Sequence, residues 1–180
     1  MKMQYLPLLA AAAVVAPLLL GAQGARPRGK DGQRTISLSP ASPGSFAETF
    51  TLVYSNPRGL NDVVGIRLLA NDRIEGQKAC YIYYVLESGK FLLVHDSGEG
   101  SDPLESDRPV RNAHCTVYPD FHATQTTTTL KLQIRVALNP DRRTPTNLYT
   151  YVEKSVGESQ FEWQGVWAVP KPLPPPSTTE

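Results

Sequence analysis

No surplus of positive charge marks this chain: 18 lysines and arginines stand against 17 aspartates and glutamates. Nucleic acid and anionic membrane surfaces both recruit proteins through a basic excess, so neither is expected as a partner. Catalytic vocabulary is equally sparse. There is no Gly-x-Ser-x-Gly elbow, and His95, His114 and His122 fall at no spacing that a metal site uses. Neither a metal nor a cofactor is expected. Cysteine is scarce, with only Cys80 and Cys115. Beyond the N-terminal segment no window carries a helical apolar stripe with caps, which excludes a helix-rich domain.

The first residues, by contrast, carry a secretory signal. Lys2 is followed by an uncharged Leu/Ala/Val-rich run from Leu6 to Leu20, interrupted by Pro7 and Pro17, and then by small residues at Ala22 and Gly24. The run is short for a bilayer span, and its flanks fit cleavage near residue 24. Taking 24 residues from 180 leaves 156, about one domain, with a formal charge of zero because one lysine is lost. A secreted or periplasmic location is expected, with no membrane span in the mature chain. In that oxidising setting an even pair of cysteines favours a Cys80–Cys115 disulfide over a metal cage.

Residues 25–33, "ARPRGKDGQ", read as a flexible leader, and "PKPLPPPSTTE", residues 170–180, as an extended proline-rich tail. Between them, over residues 34–169, short runs alternate with period two. Phe50, Leu52 and Tyr54 share one face, and so do Leu130, Leu132, Ile134, Val136 and Leu138, opposite Lys131, Gln133 and Arg135. Such spacing sends apolar side chains inward and charge outward along a half-buried antiparallel strand. Turn-rich segments such as "SNPRGLND", "ESGK" and "NPDRRTP" separate the runs. These features predict an all-β antiparallel sandwich, favoured over a barrel by uneven strand lengths and a long irregular connection at residues 96–111.

In "ACYIYY", residues 79–84, both faces of the strand are apolar. A bridged Cys80 puts Cys80, Ile82 and Tyr84 inside, which leaves Tyr81 and Tyr83 as candidates for a surface. With Tyr149, Tyr151, Trp163 and Trp167 at period two, they offer a platform for stacking a sugar, while core packing is the competing use of strand aromatics. Tyr81, Tyr83 and Trp163 are the expected ligand surface, for an unknown protein or glycan partner outside the cytoplasm. A hydrolase built on Asp102, Glu105 or Asp107, or calcium held by those acids with Glu99 or near Asn56 and Asp62, is a weaker alternative, since turn formation explains the same residues. His95, Asp96 and Ser97 do not suit a triad, because neighbours on a strand point to opposite faces.

The set "FTLVYSNPRGLNDV", "ACYIYY", "FLLVHDSG", "NAHCTV", "TLKLQIRVAL", "TNLYTYV" and "FEWQGVWAV" resembles, in order and spacing, an immunoglobulin-like β-sandwich module recurrent in predicted secreted proteins of acidobacteria and related bacteria. Ala79–Tyr84, Asn112–Thr116, Trp163 and Trp167 match its landmarks. Two positions depart from it: Asn56 stands where the module usually has aspartate, and His95-Asp96-Ser97-Gly98 replaces Asn-Asp-Ala-Gly. The resemblance implies an immunoglobulin-like fold and a non-catalytic extracellular binding or scaffolding unit, with no catalytic residues to carry over. Antibody domains place a tryptophan between bridged cysteines that lie further apart, so a different bridge is expected here.

Overall fold

The computed structural model describes residues 35–139, 145–157 and 159–168. The expected signal segment 1–24, leader 25–33 and tail 170–180 lie outside them.

Alternation dictates the strands, and the strands form two antiparallel sheets. The first contains β1 (Thr35–Ser39), β2 (Ala47–Ser55), β7 (Val110–Arg111), β8 (Cys115–Val117), β9 (His122–Gln125) and β10 (Thr129–Leu138). The second contains β3 (Val63–Asn71), β4 (Cys80–Val85), β5 (Lys90–Val94), β6 (Ser101–Pro103), β11 (Thr146–Lys154) and β12 (Phe161–Trp167). Their spatial orders are β1-β2-β10-β8-β7, with β9 alongside β10, and β12-β11-β3-β4-β5-β6. Those are the A-B-E-D and G-F-C-C′-C″ orders of an immunoglobulin variable-type sandwich, extended by β7 and β6. The expected irregular connection at 96–111 is therefore corrected. It holds two short strands, β6 continuing the second sheet beside β5 and β7 forming a hairpin with β8.

Between the sheets lies the core expected from the period-two runs. Leu130, Leu132, Ile134, Val136 and Leu138 are all buried, facing Ile66, Leu68, Ile82 and Leu93 from the other layer. Cys80 of β4 and Cys115 of β8 are joined, with Cα atoms 5.5 Å apart, so the bridge runs from sheet to sheet. The antibody bridge instead joins the strands equivalent to β2 and β11. Here those strands contribute the buried Phe50, Leu52 and Leu148.

Asn112 sets the end of β8 against the second sheet. Its Nδ2 donates to the carbonyls of Ala79 (2.9 Å) and Val94 (3.2 Å), one at the start of β4 and one at the end of β5. Its Oδ1 accepts from the backbone N–H groups of His114 and Cys115. One amide side chain thus closes the β7–β8 turn and clamps it across the layers beside the disulfide, which gives a physical role to the Asn-x-x-Cys spacing.

Tight approach fixes the free edge of the second sheet. The backbone of Ala41, in the connection from β1 to β2, lies where a Cβ on Gly165 would sit. The Ala168 N–H donates to Pro43 O and the Trp167 indole donates to Ser45 O at 2.7 Å. Trp167 then packs edge-on against Phe50, centroids 4.9 Å apart, as part of the core.

Candidate functional site

Because inward and outward side chains alternate, the outer face of the second sheet can be read directly from strand register. Trp163 pairs with Tyr149, Tyr149 with Leu69, and Leu69 with Tyr81. One repeat along, Phe161 pairs with Tyr151, Tyr151 with Arg67, and Arg67 with Tyr83. Two parallel rows of four side chains therefore cross β12, β11, β3 and β4. Seven of the eight are apolar or aromatic, an unusual composition for the outer face of a sandwich, where polar residues are the rule.

Arg67 is the exception, and its neighbours neutralise it. Its Nη2 donates to Glu153 at 2.6 Å, its Nε donates to the same oxygen, and its Nη1 donates to the Tyr81 hydroxyl at 2.9 Å. The guanidinium carbon lies 4.4 Å from the centre of the Tyr83 ring and 5.6 Å from that of Tyr151. Burial opposes the Arg67 charge, but the bonds to Tyr81 and Glu153 outweigh it and hold its pKa above the ordinary value. Glu153 is pulled below its ordinary value: burial pushes it up, and the hydrogen bonds from Arg67 and Tyr83 prevail. Burial, then the hydrogen bond to Glu153, raise the Tyr83 phenol. The result is a closed, charge-balanced network in the middle of an aromatic face.

Gly65 makes room for this stack. A Cβ there would collide with the Tyr83 ring and with the Tyr84 carbonyl, so the ring lies across β3 over a bare backbone. At the other end of the face, the connection between β3 and β4 folds over Tyr81, with Gly76 against its ring. Tyr81, Leu69 and Ala79 form a small second core beneath Tyr149, Phe161 and Val94.

Of the three expected surface rings, Trp163 alone is broadly accessible, at 56%. Tyr81 is 8% exposed and so is corrected from surface to buried; Tyr83 is half-buried under Arg67. The Phe161 ring beside them is tilted 36° from Tyr151 and 48° from Tyr81. Trp167, placed with Trp163 by simple alternation, is in the core instead. A β-bulge causes the difference: Tyr149 pairs with Trp163 while its neighbour Leu148 pairs with Gly165, so Gln164 is an extra residue that reverses the facing of every later position in β12. Alternation alone passes over Arg67, Phe161 and Glu153. Their signals are the lone charge in "GIRLLA" and the aromatic two places before Trp163.

Five of the polar candidates, His95, Asp96, Asp102, Glu105 and His114, fall into structural pairs. His95 Nε2 lies 3.2 Å from Asp102, and His114 Nε2 lies 3.6 Å from Asp96, so the adjacent His95 and Asp96 serve different partners. Ser97 bonds within its own turn, to Glu99. Glu105 is paired to Arg108. Asn56, 1% exposed, accepts the Arg58 N–H and donates its own N–H to Thr128 O, a turn device. Among the described residues no three His, Cys, Asp or Glu side chains converge as metal ligands. No protein-family model matches the chain, and no curated protein matches it.

Proposed function

We propose that this chain is an exported, non-catalytic immunoglobulin-like module that binds a partner outside the cytoplasm through the outer face of its second sheet. One observation carries the reading: Trp163, 56% exposed, stands among Tyr149, Phe161 and Tyr151 around a neutralised Arg67. Tryptophan, tyrosine and arginine dominate the binding energy of protein interfaces. A contiguous apolar surface of this kind is costly to leave against water unless something covers it. The pairing of Asp102, Asp96 and Glu105 with His95, His114 and Arg108 supports the non-catalytic part, and the 36° tilt between Phe161 and Tyr151 favours a protein over a flat sugar ring. Export is supported by the disulfide and by the N-terminal pattern. No helix among the described residues is long and apolar enough to cross a membrane. The exported immunoglobulin-like modules that the sequence resembles belong to the same reading.

The test is photo-crosslinking in the organism's own extracellular or periplasmic fraction. p-Benzoylphenylalanine replaces Trp163 in one sample and Lys131, exposed on the outer face of the first sheet, in another. Adducts that form from position 163 and not from 131 support the assignment. Adducts from neither position, or equally from both, overturn it.

A further inference from the structure

Ala168 is the last described residue, and the chain leaves the second sheet there, close to Trp163. Its N–H donates to Pro43 O, which fixes the exit at the end of β12 that pairs with the start of β11. Trp163 leans the same way. Its indole N–H donates to Asn147 Oδ1 at 3.3 Å, and Asn147 is the cross-strand neighbour of Val166, just before the exit. The Asn147 amide in turn donates to Asp72 O at 2.9 Å. Trp163, Asn147 and Asp72 thus form a line across β12, β11 and the residue that follows β3. Shortly after Asp72, in the loop from β3 to β4, stands Ile74, 54% exposed. An exposed apolar side chain therefore marks each end of the line.

The eight residues after Ala168 read Val-Pro-Lys-Pro-Leu-Pro-Pro-Pro, five of them proline. Proline fixes φ, and such a composition favours the polyproline helix, which needs no ladder of hydrogen bonds. Aromatic-lined surfaces are what bind that helix: rings pack on prolines, and a preformed conformation loses little entropy on docking. Reach fits as well. Eight residues at about 3.1 Å each span roughly 25 Å, whereas crossing from β12 to β4 takes three strand spacings, about 14 Å. Residues are left over for the turn onto the face.

We infer that residues 169–176 occupy the outer face of the second sheet, against Trp163 and Tyr149 and running toward Ile74. The inference rests on the binding face proposed above and adds its regulation, since the segment competes with the outside partner for the same rings. Tethering sets the strength of that competition. At an effective concentration of about 1 mM, a contact with a dissociation constant of about 0.1 mM is about nine-tenths formed. An outside partner then meets a site that is about one-tenth competent, and its apparent affinity falls about tenfold.

The test uses the purified chain after residue 24, with p-benzoylphenylalanine at position 163, in an equal mixture of light- and heavy-isotope chains. Adducts are expected on residues 169–176 of the same chain. A second protein carries Pro170→Ser, Pro172→Ser, Pro174→Ser, Pro175→Ser and Pro176→Ser together, all outside the strands, so circular dichroism should be unchanged. It should lose those adducts about tenfold. In chains labelled with 5-fluorotryptophan, the Trp163 resonance should move with the five serines and the Trp167 resonance should not. Absence of tail adducts, adducts only between unlike isotopes, or a Trp163 resonance indifferent to the serines overturns the inference. The binding face is judged apart, with the crosslinker in the extracellular or periplasmic fraction. Adducts there to another molecule, with none to residues 169–176, leave the face standing and remove the tail as its occupant. Tail adducts in the parent, with no outside adduct even from the five-serine chain, leave the docked segment and remove the outside partner.

Discussion

Arg67 lies against the ring of Tyr83, its guanidinium carbon 4.4 Å from the centroid, and the contact depends on Gly65 having no side chain beneath that ring. Registered strands bring Arg67 and Tyr83 side by side. Gly65 lets the ring lie down and Glu153 holds the cation level with it.

Gly65→Ala is therefore expected to be expensive for so small a change. The added methyl meets the Tyr84 carbonyl, which is backbone and cannot swing away, as well as the ring. A loss of about 1–3 kcal/mol is expected, as for overpacking elsewhere. Urea unfolding measures it, and a stability within about 0.5 kcal/mol of the parent would refute the close approach.

Asn112→Ala removes four hydrogen bonds at once and strands the Ala79 and Val94 carbonyls near the disulfide. The expected cost is about 2–4 kcal/mol, since each unsatisfied shielded group is worth about 1–3 kcal/mol and the turn can recover some bonds to water. Hydrogen exchange should show the His114 and Cys115 amides losing protection first. Unchanged protection there would sink the clamp.

The two tryptophans should behave as opposites. Trp167→Ala opens a cavity beside Phe50 and is expected to cost about 3–5 kcal/mol. Trp163→Ala, on the surface, should stay within about 0.5 kcal/mol. In single-tryptophan variants, acrylamide should quench Trp163 emission well above that of Trp167, which should stay nearly untouched. Equal quenching would mean that the bulge at Gln164 is misplaced.

Acid should loosen the Arg67 network. Glu153 sits below its ordinary value of 4.5 in the folded chain, so its pairing with Arg67 adds stability that is fully present above 4.5. That stability drains away as pH falls through the depressed folded value. Its carboxylate is 30% exposed, so solvent screening limits the contribution to about 1 kcal/mol. Glu162 has the opposite sign: burial holds its pKa up, against the Lys154 charge, and its contribution is lost as pH rises through the raised value. Glu153→Gln should flatten the decline of unfolding free energy between about pH 5 and pH 3. An undiminished slope in that variant would exclude the pair as its source.

Alternation makes most of the sandwich legible in the sequence. The β10 run and the inner Cys80, Ile82 and Tyr84 of β4 stand where period two puts them, because side chains in unbroken ladders have only two directions. Where the ladder is interrupted the pattern fails. One extra residue at Gln164 separates Trp163 from Trp167, and no local composition announces it. Tyr81 departs from expectation for another reason. It points outward as period two requires, but the loop between β3 and β4 covers it, and loop paths depend on contacts remote in sequence. The short β6 and β7 are hidden by Gly, Pro and Asp, whose turn chemistry masks pairing imposed by neighbouring strands.

The bulge has a consequence for growth. β12 is the outermost strand of its sheet, and an open strand next to a sticky aromatic surface invites endless lateral addition. Gln164 breaks the even ladder that an incoming strand would need, and Glu162, in register with the inward-facing Thr150, would have to carry its carboxylate into any such seam. Fibre-like extension along the hydrogen-bonding direction is thereby discouraged, and contact is left to the flat of the sheet.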